Sequence, residues 1–403
     1  MREFRGREIA LLVAVKLPGE SVAEVEESLV ELQRLAESAG ACVIGKVVQE
    51  RRGRDPRSFI GQGKALDLKA SYGEQINLVV FDGDLSGTQQ RNLEEILEVK
   101  VIDRTGLILD IFAQRAHTRE GMLQVELAQT EYLLSRLVGC STYLSRLGGG
   151  IGTRGPGETK LESDRRRLRK RVSRIRERLE KVRQSRGIMR RNREKRDLPI
   201  VSLVGYTNAG KSSLFNALTR AKAVVEDRLF ATLDPTVRRV CLPGGQIVLV
   251  FDTVGFIREL PHQLIHAFRA TLEELLSANL LLHVVDASHP MREEQIRAVD
   301  EILGEIGVVH KSVLQVYNKI DRLKDEEKLS FSADAGRVAV SARTGEGLGD
   351  LRWRIHSYLT ADLHAPSGQD HLDNASNTML TKRNISSDRK NLPHARSSKS
   401  KAF

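Results

Sequence analysis

Eight residues, Gly205-Tyr206-Thr207-Asn208-Ala209-Gly210-Lys211-Ser212, carry the spacing G-x-x-x-x-G-K-S. Glycines at the two ends let the backbone curl until several N–H groups face one anion. The lysine can reach the β- and γ-phosphates of a nucleotide, and the serine hydroxyl can ligate magnesium. The chemistry needs a strand before the loop and a helix after it, because a helix N-terminus adds its partial positive charge. LPIVSLV (198–204) is apolar enough for a buried strand, and SLFNALTR (213–220) reads as the helix, with Ser213 at its start. A plain glycine turn would not require the full spacing.

Three further constellations follow in order, each at the end of an apolar run. QIVLVF (246–251) runs into Asp252-Thr253-Val254-Gly255. A carboxylate there can hold a magnesium-bound water, and the Gly255 N–H can touch a γ-phosphate. SVLQVY (312–317) runs into Asn318-Lys319-Ile320-Asp321. The Asp321 carboxylate can accept from guanine N1 and N2, which adenine does not match. Lys319 can lie over the base, and Asn318 can brace the phosphate loop. Ser341-Ala342-Arg343 follows a short strand at 337–341 and can offer a backbone N–H to guanine O6. The first switch is expected over 223–237. Within Phe230-Ala231-Thr232-Leu233-Asp234-Pro235-Thr236, Thr232 is the preferred magnesium ligand and Thr236 the alternative. Together the four constellations predict binding of GTP and GDP, with Mg2+ held by Ser212, Thr232 and, through water, Asp252.

Lys211, Thr232, Gly255 and Asn208 are the candidates for catalysis. Phe256 stands where many switches place a water-orienting glutamine, so intrinsic hydrolysis is expected to be slow. Asn208 either caps the turn or coordinates K+ beside the transferring phosphate.

A chain of 403 residues, 40% hydrophobic, predicts two or three domains. The region 1–117 alternates apolar strands (8–15, 41–48, 76–82, 99–103) with helical spacing at 21–38, 62–72 and 86–97. That order predicts an α/β domain with a mostly parallel sheet. Gly61-Gln62-Gly63-Lys64 lacks the phosphate-loop spacing and reads as a turn. Over 118–197, Leu123, Leu127, Leu134, Leu137 and Leu144 face Leu161, Leu168, Val172, Ile175, Leu179 and Val182 in two narrow apolar seams. They predict an antiparallel helical hairpin, a two-stranded coiled coil, with a flexible glycine-rich tip at 148–157. The nucleotide domain occupies 198–360, and a polar, disordered tail is expected over 361–403.

The charge has one address. Residues 158–197 hold 18 Lys/Arg against 7 Asp/Glu, a surplus equal to the +11 of the whole chain. A solvated helix face would mix its charges; this one calls for a polyanion. Aromatic residues are too scarce there for base stacking, so phosphate backbone and RNA shape are the expected target. An acidic protein partner, making the chain a signalling switch, is the alternative reading; an anionic membrane surface is a third. Three scattered cysteines, Cys42, Cys140 and Cys241, argue for a reducing, cytoplasmic setting and against a disulfide or zinc scaffold. No transmembrane run is present, and a monomer is expected.

GYTNAGKSSLFNALT (205–219), FATLDPT (230–236), DTVGF (252–256), NKID (318–321) and above all GGGIGTRGPGETKLESDRRR (148–167) resemble the HflX family, translation-factor-class GTPases allied to the Obg group. FIGQGK (59–64) and the stretch from Asp103 to Gln129 match as well. The resemblance implies a Ras-like P-loop GTPase domain behind an N-terminal α/β domain and a helical hairpin. It also implies binding to the large ribosomal subunit through ribosomal RNA, dissociation of stalled ribosomes in some members, and ATP hydrolysis in some.

Overall fold

The structure is a computed structural model, and it describes residues 8–147, 156–194, 198–219, 229–258, 275–308, 310–332 and 336–364. The glycine-rich tip at 148–155, the first part of the expected first switch (223–228) and the tail beyond 364 lie outside the described residues. The chain divides into residues 1–356 and 357–403, and two sheets organise the first of these.

The first sheet has the order β2-β1-β3-β4 and is parallel throughout, built from β1 (Ile9–Lys16), β2 (Cys42–Glu50), β3 (Leu78–Asp82) and β4 (Lys100–Asp103). Strands covered on both faces must be apolar at nearly every position; in β1, Ala10 to Val15 are all buried. The helices α1 (Val22–Ser38), α2 (Gln62–Tyr72) and α3 (Gly87–Leu97) sit between the strands in sequence. Ser21 starts α1 with a capping box to Glu24, and Ser86 starts α3 with one to Gln89. Gly61 is the N-cap of α2 at φ 85, so the GQGK segment is a helix start as well as a turn. A helix the spacing did not reveal, α4 (Arg104–Arg115), follows β4 with no intervening loop. Asp103 caps it by accepting from Gly106 N. Eight of its twelve residues are buried, which erases the amphipathic period that a surface helix shows.

The hairpin is formed by α5 (Arg119–Leu147) and α6 (Pro156–Glu194). Leu123 and Leu127 pack with Val172, Ile175 and Leu179 of α6, as the seam predicts. Leu134, Leu137 and Leu168 are only half-buried, so the tight part of the seam is its base. Glu126 and Glu131 of α5 pair with Arg171 and Arg176 of α6 at 2.8 Å.

The second sheet has the order β10-β9-β8-β5-β7-β6. Its strands are β5 (Ile200–Gly205), β6 (Thr236–Cys241), β7 (Ile247–Asp252), β8 (Leu280–Asp286), β9 (Ser312–Asn318) and β10 (Arg337–Ala339). All pairs are parallel except β6 with β7. Between and after them lie α7 (Lys211–Thr219), α8 (Arg292–Ile306), α9 (Asp325–Ser332) and α10 (Leu348–His364). The antiparallel edge strand β6 was not expected from sequence. Its VRRV core has exposed arginines on an edge, so it lacks the continuous apolar run that marks its neighbours.

Candidate functional site

The carboxyl ends of β5, β7 and β9 converge on one cleft of about 600 Å3. Open parallel sheets bind ligands at that edge. Thr207, Asn208, Gly210, Lys211, Ser212, Ser213, Phe230, Ala231, Thr232, Thr253, Gly255, Asn318, Lys319, Asp321, Ala342 and Arg343 line it, together with Asn216, Ala217 and Arg322, which the motifs did not mark. Asn216 and Ala217 are one turn beyond Ser212 on α7, a position that helix period alone could have supplied.

The phosphate loop is held by its backbone. Gly205 has φ 149, and a Cβ there would stand 2.2 Å from the Val284 carbonyl oxygen of β8. Gly210 has φ 91, and a Cβ would meet Asn318 Nδ2 at 2.3 Å. That amide donates to the Ala209 carbonyl at 2.9 Å, so Asn318 braces the loop as expected. Asn208 takes the left-handed conformation at φ 61, and its carbonyl accepts from Lys319 Nζ at 2.7 Å. Lys319 is further fixed by Asp286 at 2.6 Å.

Three oxygens meet at the foot of α7. Ser212 Oγ lies 2.8 Å from Thr232 Oγ1 and 2.7 Å from Asp252 Oδ2; Thr232 Oγ1 lies 3.2 Å from the same carboxylate. Asp252 is buried, its Oδ1 has no partner among the described residues, and burial pushes its pKa up against the pull of Ser212 and Lys211. An orphaned carboxylate oxygen beside two hydroxyls fits a hard divalent cation that completes its shell with phosphate and water. Thr236, the alternative ligand, is instead the first residue of β6, paired in the ladder with Asp252.

At the base end, Asp321 accepts from Ser341 Oγ at 2.6 Å and pairs with the Arg343 guanidinium at 2.5 Å. Burial raises its pKa, but Ser341 and Arg343 together outweigh that and hold it below the ordinary value. Ala342 N, read from sequence as a contact for guanine O6, donates here to Asn318 Oδ1 at 3.0 Å. Ile320, Ala209 and Val254 are core residues, so their part in the site is backbone only.

Tyr206 departs most from its motif position. Its side chain turns away from the cleft; the hydroxyl donates to Glu31 of α1 at 2.5 Å and accepts from Arg258 N at 2.9 Å. Glu31 is in turn paired with buried Arg104, which also holds Asp82 at 2.9 Å and Ser28 at 3.1 Å. Sequence carried no sign of Glu31 or Arg104 beside the loop. Phe256 is also accounted for: its ring is buried, and its backbone pairs with Gly205 O and Thr207 N.

Lys211 is buried, and its ammonium donates to the Tyr206 carbonyl at 2.8 Å and the Gly205 carbonyl at 3.1 Å. Burial lowers its pKa to about 8, with Asp252 opposing and Lys319 adding to the fall. Phosphate restores the charged form. Nucleotide binding above that pH therefore takes up a proton, and affinity for GDP should drop up to about tenfold per pH unit beyond pH 8. Calorimetry in buffers of different ionisation enthalpy should read proton uptake approaching one per site at pH 9. Zero uptake would show that Lys211 is fully charged before the ligand arrives.

Three family profiles cover the chain: "GTP-binding GTPase N-terminal" over 26–113, "GTP-binding GTPase Middle Region" over 115–193, and "50S ribosome-binding GTPase" over 200–319. A GTPase HflX of Caldanaerobacter subterraneus subsp. tengcongensis is 54% identical over 356 residues, spanning 88% of this chain and 81% of the relative. GTPase HflX of Escherichia coli K12 is 50% identical over 341 residues, 84% and 80% of the two chains. The solved structure of a GTP-binding protein from Sulfolobus solfataricus in complex with GDP is 26% identical, covers 88% of this chain and 99% of its own, and has a TM-score of 0.46. With identity near one half over more than four fifths of its length, the chain belongs to the HflX family of P-loop GTPases, enzymes that bind and hydrolyse GTP.

Proposed function

We propose that this GTPase binds the RNA of the large ribosomal subunit through the basic face of α6 and releases it on hydrolysis, acting in the cytoplasm as a factor that dissociates or rescues ribosomes. The observation that carries the reading is the charge of α6. Residues 158–197, nearly all of them in α6, carry an excess of cations equal to that of the entire chain, and Arg166, Arg167 and Arg169 are exposed on the helix. Among the described residues, the cross-hairpin pairs with Glu126 and Glu131 engage Arg171 and Arg176, not Arg166, Arg167 or Arg169. The description of the profile over 200–319 supports the same partner. The free thiols of Cys42 and Cys241 fit a reducing compartment, and no helix among the described residues is long and apolar enough to cross a membrane.

In the cleft, Lys211 and the loop amides bind the β- and γ-phosphates. Ser212 and Thr232, with Asp252 through a water, would hold magnesium, which when bound neutralises charge on the phosphate oxygens. Gly255 is free of side chain where Lys211 Nζ and Thr207 approach within 2.9 to 3.0 Å of a would-be Cβ, so its N–H can stand against the γ-phosphate. Asn208 lines the cleft and is the residue through which potassium would act. Asp321 reads guanine. Catalysis is then positioning and electrostatic stabilisation of a water attack.

The test is salt dependence. Replacing Arg166, Arg167 and Arg169 by glutamate should weaken binding to purified large subunits by at least about tenfold and flatten the slope of log affinity against log salt by about 2. Intrinsic GTP hydrolysis should stay as it was. Binding that ignores salt in the parent protein would favour a protein partner for the hairpin.

A further inference from the structure

The loop between α7 and β6 faces two ways. Thr232 points its hydroxyl at Ser212 and Asp252. Two residues on, the carboxylate of Asp234 points at the root of the hairpin. Its Oδ2 accepts from His117 N at 3.0 Å and from Thr118 N at 2.8 Å, and its Oδ1 accepts from the Thr118 hydroxyl. Thr118 in turn caps α5 by accepting from Gly121 N at 3.0 Å. A Cβ on Gly121 would stand 2.5 Å from Asp234 Oδ1, so the helix's first turn is cut back to admit this carboxylate. An extended segment would put residues 232 and 234 on the same side, so facing two ways requires a bend, which the chain makes at Asp234; the cation site is thereby linked to the α5 N-terminus through a single intervening residue, Leu233, which is buried.

The same segment is seated on the first sheet's helices. Phe230, at φ 56, packs edge-on to Phe112 of α4 with ring centroids 4.6 Å apart. Leu229 N donates to Ser38 Oγ at the end of α1 at 3.1 Å. Those contacts fix the segment at 229–230; Asp234 fixes it just before β6. The α5 turn it holds lies directly beneath the part of the hairpin seam formed by Leu123 and Leu127 with α6.

We propose that Asp234 is a positioning residue that ties the nucleotide state sensed at Thr232 to the root of the α5–α6 hairpin. The inference rests on the reading of Thr232 as a ligand of the magnesium–triphosphate state. With Thr232 drawn to the cation, Asp234 sits across the α5 N-terminus and completes its cap. When the γ-phosphate is lost and Thr232 leaves, the carboxylate leaves too, and the amides of His117 and Thr118 lose their acceptor. Linkage makes the coupling reciprocal: a partner that grips the hairpin in its capped form raises affinity for the triphosphate by the same factor.

Amide hydrogen exchange on the full chain tests this, with Mg2+ and either GDP or a non-hydrolysable GTP analogue. In the parent protein, segment 117–121 should exchange at least about tenfold more slowly with the analogue than with GDP. Asp234→Ala should erase that difference, with exchange in both states matching the parent's GDP state. Gly121→Ala, which crowds the carboxylate from the helix side, should do the same, while Asp234→Asn, which keeps an acceptor oxygen, should retain part of it. A purely structural contact would lower protection equally in both nucleotide states and leave the difference intact, which overturns the proposal. If segment 229–236 itself shows no response to the analogue, the reading of Thr232 fails and the coupling fails with it. If 229–236 responds and 117–121 does not, only the coupling fails.

Discussion

Replacing Lys211 by alanine should lower affinity for GTP and GDP by roughly 10²- to 10³-fold or more, equivalent to about 3–5 kcal/mol, and so abolish hydrolysis at ordinary nucleotide levels. The size of the effect follows from burial. The ammonium is fully enclosed beneath the phosphate loop, where its charge is costly and already partly surrendered. A phosphate that enters without it faces a site whose nearest carboxylate, Asp252, is uncompensated. The variant should fold: losing a buried ammonium removes a desolvation cost, and the two carbonyls it served are the loop's own. Equilibrium dialysis or fluorescence titration with labelled GDP reads the loss, and melting temperature checks the fold. Near-parental affinity would mean that the loop amides alone carry the phosphates.

What sequence could show and what it could not divide along one physical line. Motifs whose function depends on a strand end were legible, because an apolar run fixes the strand and the turn residues fix where it stops. Hence Asp252 and Asn318 stand at the carboxyl ends of β7 and β9, with Asp321 just beyond the second. The hairpin seam was legible for the same local reason. Helix α4 was not, since a helix buried on most sides shows no period, and β6 was not, since an edge strand carrying Arg238 and Arg239 shows no apolar run. The contacts of Tyr206 with Glu31, and of Asp234 with Thr118, join residues 175 and 116 positions apart. No local pattern announces such pairs. Tyr206 is the instructive case: its place in the phosphate loop is a fact of spacing, while the direction of its side chain is a fact of packing against α1.

That packing changes how the cleft should be understood. Glu31 receives the Tyr206 hydroxyl, and the same hydroxyl accepts from Arg258 N, just after the D-x-x-G turn. Asp234 and Phe230 lie on the other side, against α5 and α4. Both segments that a γ-phosphate would organise are therefore braced by residues from the first 118 positions of the chain. Phe256 uses its ring for the core and its backbone to pin Gly205 and Thr207, so the position lends rigidity where other switches place a water-orienting amide. This arrangement predicts a low intrinsic rate, with acceleration supplied by whatever moves the braces.

Asp321→Asn should invert base preference. Affinity for GTP should fall by about 2–5 kcal/mol, or roughly 30-fold to several thousand-fold, and affinity for xanthosine triphosphate should rise above it. Guanine presents donors at N1 and N2 to a carboxylate that only accepts; xanthine presents a carbonyl oxygen in place of the N2 amine, which an asparagine amide can donate to. The cleft already displays the pairing logic. Ser341 Oγ donates to Asp321 Oδ1, and the Arg343 guanidinium, a planar array of N–H donors, stands at Oδ2. The Arg343 side chain is 75% exposed and can swing out when the base arrives, whereas buried Ser341 stays. In the variant, Ser341 keeps an acceptor and the turn keeps its shape, so the melting temperature should move little while selectivity changes. Competition between labelled GDP and unlabelled XDP measures both arms at once. Guanine selectivity unchanged by the substitution would remove Asp321 as the residue that reads the base.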